Sequence, residues 1–217
     1  PNKATRERLI HALKDADPGL LREYQGELHA ADASSKFLRQ SGRYPLTGRG
    51  DINTYAVFAE LARALIAEFA RCGVVVPTGI ATDDTTKDFF AAIADGQELC
   101  QLTGYENEEF IFVGVANVVR FCTLVLQGRG RHEAAASYCW YLRSFRQLSE
   151  RERFFTVTPT EIQLLNPNTR TCPIFRTQAD AALTKDIHRR VPILVNEQTG
   201  SDPWAVRFLR MIDMAND

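Results

Sequence analysis

The most regular hydrophobic pattern in the chain follows Asp51. Apolar residues recur there at helical spacing, and the Asp51 side chain stands where it can cap the first turn. The apolar positions are Ile52, Tyr55, Phe58, Leu61, Leu65, Ile66 and Phe69. The pattern predicts an amphipathic helix whose apolar stripe faces a core.

Short apolar runs follow this helix and predict strands. Val74–Val76, stopped by Pro77, is typical of a strand buried in a parallel sheet. Leu99–Thr103 and Val118–Leu126 predict two more strands, joined by a loop without a helix. Because so short a connection favours antiparallel pairing, we expect these two strands to form a hairpin.

Helical segments lie before and between these runs. Asp17 before Pro18 predicts the start of a long helix that runs towards Ser41. Thr82 or Asp83 is expected to cap another, with an inward apolar face that ends near a glycine. That face consists of Phe89, Phe90 and Ile93, with Gly96 behind it. Alternation of helices and strands indicates an α/β fold.

The pattern weakens beyond Gly130, and a domain boundary is expected near Gly128. Ser137–Leu142 is compatible with a strand or with the start of a helix. Phe154–Thr158 predicts a strand, and Thr158 begins a capping box for a short helix.

The composition is that of an ordinary globular protein. The 217 residues are 45% hydrophobic and 24% charged, with a net charge of −1. The charge is uneven, since residues 77–119 carry eight acidic side chains and one lysine, whereas residues 120–176 carry nine arginines and four glutamates. This unevenness describes either two solvated faces or an arginine-rich surface that meets a polyanion.

The remaining composition points to a cytoplasmic protein. The five cysteines are scattered, which argues against disulfides and zinc ribbons and favours a reducing compartment. No apolar run approaches the roughly 20 residues of a membrane span. The chain begins without methionine and ends within a pattern, so we expect a fragment.

Few residues suggest catalytic chemistry. The four histidines are too far apart in sequence for a zinc site, and no nucleophile motif is present; they are His11, His29, His132 and His188. Asn166-Pro167 lacks the second proline and the aromatic residue of a base-methylating loop, so it indicates a turn. The glycine-rich segment 47–50 is a tight turn or a loop where Arg43 or Arg49 contacts a DNA phosphate.

An aromatic pair stands in an acidic loop just before the last long strand. Phe110 and Phe112 are core residues of this loop or rings that stack on nucleic-acid bases.

Taken in order, several segments resemble the gamma-class DNA adenine methyltransferases, especially the large fused restriction–modification methylases. The similarity begins near Ser41, and its most specific part is Pro77-Thr-Gly-Ile-Ala-Thr-Asp83. The segments that carry it are residues 41–50, 52–60, 73–79, 82–90, 118–126 and 165–175.

The resemblance implies part of a Rossmann-like methyltransferase sheet with an antiparallel hairpin, followed by a smaller α+β segment. In the parent protein, S-adenosylmethionine would be the methyl donor and a flipped adenine the acceptor. The glycine-rich cofactor loop and the catalytic Asn-Pro-Pro-aromatic loop are expected before Pro1. The chain alone is therefore expected to hold neither the cofactor nor a catalytic residue, and to be inactive.

The resemblance also assigns roles along the chain. Phe112 matches the position of the aromatic residue that stacks on the flipped base, Asn53 and Tyr55 would border the pocket, and Thr78 would lie at a strand end. Residues 1–128 would be the C-terminal half of the catalytic domain, and residues 129–217 the start of the target-recognition region.

Double-stranded DNA is the expected partner, and the arginines of the second half are its expected backbone contacts. We single out Arg143, Arg146, Arg151 and Arg153 in addition to Arg43 and Arg49. The alternative is a DNA-binding module that works without catalysis.

Overall fold

A computed structural model describes residues 2–131 and 135–206 of the chain. The chain divides into two compact units, residues 1–52 and residues 53–217.

The first unit contains two helices, α1 (Lys3–Ala16) and α2 (Pro18–Gln40). The Asp17 carboxylate accepts hydrogen bonds from the backbone N–H groups of Gly19 (3.1 Å) and Leu20 (2.9 Å), which confirms the predicted cap. The loop after α2 turns through positive φ angles at Gly42 and Gly50, as its glycines predicted.

The second unit contains a sheet with helices around it. Its helices are α3 (Thr54–Leu65), α4 (Gly79–Thr82), α5 (Lys87–Asp95), α6 (Pro159–Leu165) and α7 (Gln178–Arg190). Its strands are β1 (Arg71–Pro77), β2 (Leu99–Glu106), β3 (Arg120–Gln127), β4 (Ala136–Leu142) and β5 (Phe155–Val157).

The five strands form one mixed sheet in the order β1-β3-β2-β4-β5. Strand β3 pairs antiparallel with both β1 and β2, so β1 and β2 run in the same direction. Strand β4 is parallel to β2, and β5 is antiparallel to β4. The predicted β2–β3 hairpin and the α/β class are therefore confirmed.

Strand β1 differs from its prediction, because it is not a fully buried strand of a parallel sheet. It pairs with β3 alone and forms an edge of the sheet within the described residues. Val76 is buried, whereas Val75 is 56% exposed. A purely apolar run therefore marks an edge strand here, with one face on α3 and the other open.

Helix α3 also differs from its prediction. Its N-cap is Asn53, whose side chain accepts from the Tyr55 N–H, and not Asp51. The predicted apolar stripe does not face the core, since Phe58 is 67% exposed and Leu65 is exposed as well. The buried positions are instead Ala56, Val57, Ala59 and Glu60. Ala56 and Ala59 let the helix lie close to the sheet, whereas Phe58 and Leu65 point away from it.

Helix α5 supplies the predicted core residues, but not through the predicted cap. Phe89, Phe90 and Ile93 are fully buried. The helix begins at Lys87, after α4 and one 3-10 turn, and no side chain caps it. Thr82 and Asp83 therefore lie before the helix and do not cap it.

The sheet continues past Gly128, since Ser137–Leu142 is strand and not helix. The capping box of Thr158 with Glu161 is present at the start of α6. Gly128 lies between two strands of the same sheet, and the expected functional division at this position stays a prediction.

A buried ion pair fixes α3 to the sheet. The Arg63 guanidinium donates to both oxygens of the Glu98 carboxylate, at 2.6 Å and 2.7 Å, and both side chains are largely buried. Arg129 reaches the same carboxylate at 3.4 Å from an exposed position. Two parallel N–H···O bonds fix both the distance and the orientation of the helix.

Replacing Arg63 with alanine is expected to lower the free energy of unfolding by about 3 kcal/mol. The Glu98 carboxylate would then stay buried, and only the exposed Arg129 guanidinium would balance its charge. Urea unfolding measures the change. Arg129→Ala is the control, and its expected cost is below about 1 kcal/mol because that side chain is exposed. Equal losses in the two variants would contradict the assigned role of Arg63.

Candidate functional site

The strand directions bring three chain segments together where β1 and β2 end. We call this end of the sheet the carboxyl edge, which differs from the side of the sheet that β1 forms. Strands β1 and β2 end there, and β3 begins there. The Thr78 N–H donates to the Arg120 carbonyl (3.3 Å), and the Asn107 N–H donates to the Val119 carbonyl (3.2 Å). In open α/β sheets, ligands bind outside the carboxyl ends of the strands, so this edge is the candidate site.

The loop of residues 107–119 between β2 and β3 is organised by a buried amide. Asn107 is fully buried, and its Nδ2 donates to the carbonyls of Phe112 (3.0 Å) and Val115 (2.9 Å). Its Oδ1 accepts from the Phe112 N–H at 2.9 Å. One side chain thereby holds the backbone of Phe112 from both sides.

Phe112 lies partly in the open and partly on an aromatic stack. It is 43% exposed, and its edge packs on Phe121 with ring centroids 4.8 Å apart. Phe121 in turn stacks on Tyr105 at 5.1 Å. Phe110 of the same loop is 50% exposed and lies in the left-handed region, with φ of 52°. Phe112 therefore combines features of both alternatives. One side of its ring packs on Phe121, as in a core residue, and another side is exposed, as a stacking role would require.

Tyr55 lies beside the turn that follows Thr78. A Cβ atom placed on Gly79 would come within 2.9 Å of the Tyr55 hydroxyl and 2.3 Å of the Asp83 carboxylate. Burial, and then the nearby Asp83 carboxylate, raise the pKa of Tyr55 above its ordinary value. The side chain therefore stays a neutral hydrogen-bond donor at this edge.

The other predicted site residues of this region have visible structural roles. Asn53 is exposed and caps α3. Thr78 is half-buried, and its carbonyl accepts from the Thr82 hydroxyl at 3.2 Å. Their expected roles beside a base remain predictions.

A small cleft of about 80 Å³ opens at this edge. Its lining combines three aromatic rings, two threonines, an ion pair and an isoleucine: Tyr105, Trp140, Tyr141, Thr78, Thr82, Glu106, Arg120 and Ile174. The Glu106 carboxylate is buried and contacts Arg120 (3.3 Å) and Arg143 (3.2 Å). Trp140 and Asn107 are the residues here that the sequence analysis missed.

The predicted DNA-backbone arginines of the second half differ in their partners. Arg143 contacts Glu106 and Glu108, and Arg153 contacts Glu150. Arg146 and Arg151 are exposed, and neither forms an ion pair within the described ranges. Of these four arginines, Arg146 and Arg151 are the two without an acidic partner in the part of the chain that the structure describes.

The last candidates from the sequence lie in two turns. Arg43 and Arg49 are exposed in the loop after α2 of the first unit, and their expected DNA contacts stay predictions. Asn166 ends α6, and its Nδ2 donates to the Thr171 carbonyl at 3.0 Å, which confirms the predicted turn. The part of the chain that the structure describes contains no cluster of three or more metal-ligating side chains, and His132 lies outside that part. No helix within the described ranges is long and apolar enough to cross a membrane.

Comparison with known proteins gives partial structural similarities only. No family model and no curated protein matches the chain. The methyltransferase subunit of a type I restriction–modification system from Streptococcus thermophilus aligns over 66% of this chain and 35% of its own, with 14% identity and a TM-score of 0.48. The type IIG restriction endonuclease BpuSI aligns over 67% of this chain and 18% of its own, with 17% identity and a TM-score of 0.42.

The chain therefore spans about a third of the first of these proteins and less than a fifth of the second. At such identities no residue role carries over from them.

Asn107→Asp is expected to loosen the 107–119 loop, because a carboxylate oxygen would replace the Nδ2 donor and face the Phe112 and Val115 carbonyls. We expect a loss of about 2 kcal/mol in the free energy of unfolding and faster amide hydrogen exchange across the loop. Hydrogen exchange followed by mass spectrometry measures the second effect.

The matched control is Asn53→Asp, which keeps the oxygen acceptor of an exposed N-cap and should change stability by less than about 0.5 kcal/mol. Unchanged exchange in the 107–119 loop of the Asn107 variant would refute the organising role of its amide.

Proposed function

We propose that the chain is part of a site-specific DNA adenine methyltransferase of a restriction–modification system. It would supply one wall of the pocket for the flipped adenine and the start of the target-recognition region. The observation that carries the proposal is Phe112, a half-exposed ring on an ordered loop at the carboxyl ends of β1 and β2. The stacking role itself is the one that the sequence resemblance implies for this residue.

The setting of Phe112 suits a base that has left its duplex. Its backbone is held by Asn107, and its ring is backed by Phe121, so little side-chain freedom remains to be lost on binding. Stacking of a base on such an aromatic ring contributes about 1–3 kcal/mol. An adenine rotated out of the duplex would find this face without rearrangement of the loop.

The DNA backbone would lie against Arg146 and Arg151, whose cations have no acidic partner within the described ranges. Arg143 and Arg153 are paired with carboxylates, so DNA phosphates must compete for them. Arg43 and Arg49 are further proposed contacts from the first unit. Duplex DNA is thus the proposed partner.

S-adenosylmethionine would supply the methyl group in the parent protein, but the residues present do not fit it. At Gly79, where β1 leads into α4, the space beside the backbone is taken by the Asp83 carboxylate and the Tyr55 hydroxyl. The ribose or the methionine carboxylate of the cofactor therefore cannot approach the backbone closely there. We therefore assign no cofactor-binding and no catalytic residue to this chain, and expect it to be inactive alone.

The exposed side of the sheet at β1 offers a surface on which another part of the parent protein can pack. Strand β1 is an edge within the described residues, and the large apolar side chains beside it are exposed: Phe58, Leu65, Phe69 and Val75. Exposed apolar patches next to an unpaired strand are uncommon in free-standing proteins. We propose that the cofactor-binding half of the methyltransferase sheet packs here.

The chain is expected to bind a duplex that contains one unpaired adenine about tenfold more tightly than the fully paired duplex, because stacking on Phe112 adds to the backbone contacts. Phe112→Ala should abolish this difference. Fluorescence anisotropy with labelled duplexes at several salt concentrations measures both affinities and their salt dependence.

Phe110→Ala is the matched control, since it removes a similarly exposed ring from the same loop and should keep the preference. Salt-dependent binding with equal affinity for the two duplexes would reject the base pocket and favour the alternative, a DNA-binding module without catalysis. Loss of the preference in both variants would show that the loop, and not the Phe112 ring, provides it.

A further inference from the structure

A short turn after β4 presents two exposed apolar side chains. The turn is the 3-10 helix Phe145–Ser149, in which Phe145 is 60% exposed and Leu148 is 39% exposed. Side chains three residues apart eclipse one another in a 3-10 helix, so these two lie on the same face. We call Phe145 and Leu148 the apolar tip. Large apolar side chains that are exposed together indicate a contact with another molecule.

Hydrogen bonds hold this turn in one shape. The side-chain oxygen of Gln147 accepts from the N–H groups of Arg143 (2.8 Å) and Ser144 (3.4 Å). The Ser149 hydroxyl donates to the Arg146 carbonyl at 2.9 Å. The apolar tip therefore stands on a preorganised backbone, and little conformational freedom is lost when it contacts a partner.

A row of aromatic rings joins the apolar tip to Phe112. The edge of Phe145 packs on Tyr105 with ring centroids 5.7 Å apart. Tyr105 stacks on Phe121 at 5.1 Å, and Phe121 contacts Phe112 at 4.8 Å. The two middle rings are buried, whereas the two end rings are exposed. Because three such contacts span the row, Phe145 and Phe112 lie no further apart than about five base-pair steps of a duplex.

The charges around the apolar tip suit a polyanion. Residues 143–153 contain four arginines and two glutamates. Arg146 and Arg151 stand on either side of Leu148, are exposed, and have no acidic partner among the residues that the structure describes. In DNA-bending proteins, cations contact the phosphates while an apolar side chain wedges between base pairs. Unpaired cations favour DNA over a protein partner, since a protein surface would have to supply matching carboxylates.

We propose that the apolar tip inserts between neighbouring base pairs and bends duplex DNA close to the base that stacks on Phe112. Phe145 is the wedge, and Arg146 and Arg151 hold the phosphates beside it. This role rests on the DNA binding proposed above. It adds a DNA-bending activity that acts on paired bases, whereas Phe112 receives an unpaired one. Wedges of this kind bend a duplex by about 20–90°.

Energy transfer between dyes at the two ends of a fully paired duplex of about 30 base pairs measures the bend. Because unbound DNA of this length is nearly straight, we expect the transfer efficiency to rise when the chain saturates the duplex. Phe145→Ala should return the efficiency to that of unbound DNA. Phe145→Leu keeps an apolar wedge and should retain part of the rise. Urea unfolding establishes that both variants are folded.

Phe37→Ala is the matched control, because it removes a similarly exposed ring from α2 and should leave the bend intact. A double variant, Arg146→Gln with Arg151→Gln, separates the wedge from the phosphate contacts. It should weaken binding and reduce its salt dependence, yet keep the bend once the duplex is saturated.

Binding of the duplex without a bend overturns this inference. An equal bend with Phe145→Ala also overturns it and assigns the exposed ring to a protein contact instead. Loss of the bend in the double arginine variant, but not in Phe145→Ala, overturns it too, since the bend would then be electrostatic.

The wedge and the stacking role of Phe112 fail separately. Phe145→Ala should keep the preference for an unpaired adenine, and Phe112→Ala should keep the bend. Failure of this inference and failure of the base pocket are therefore distinguishable, whereas a chain that binds no duplex at all overturns both.

Discussion

The antiparallel insertion of β3 between β1 and β2 is the constraint on which the rest of the unit depends. Because β3 pairs with both neighbours, the ends of β1 and β2 and the start of β3 must lie at one edge of the sheet. The turn after Thr78, the carboxylate of Glu106 and the loop that carries Phe112 are therefore neighbours in space. Bidentate pairing of Arg63 with Glu98 then fixes α3, and with it Tyr55, on the same sheet.

Local signals in the sequence predicted the local structure well. The Asp17–Pro18 helix start, the Thr158 capping box and the β2–β3 hairpin follow from hydrogen bonds or connections within a few residues. The apolar stripe of α3 and the burial of β1 were predicted wrongly, because burial depends on which element packs on which face. Periodicity reveals that a face is apolar, but not that small residues such as Ala56 and Ala59 form the buried one.

The candidate site could be predicted only in part for the same reason. Phe112 could be singled out because an aromatic residue in an acidic loop is visible in the sequence, and its role beside a base stays a prediction. Asn107 and Trp140 were missed, since the role of each depends on partners that the sequence separates or does not reveal. The Asn107 amide acts through carbonyls of a folded loop, and Trp140 through the absent side chain of Gly104 on another strand. A glycine within an otherwise bulky strand was the one available signal.

The central claim is that an unpaired base of DNA lies against the ring of Phe112. Photo-crosslinking tests it most directly, with a duplex that carries a single unpaired 8-azidoadenine and mass spectrometry to locate the attached peptide. The account predicts that the crosslink maps to residues 107–119 and requires the unpaired position. A crosslink elsewhere in the chain, or the same yield from a fully paired duplex, would contradict it.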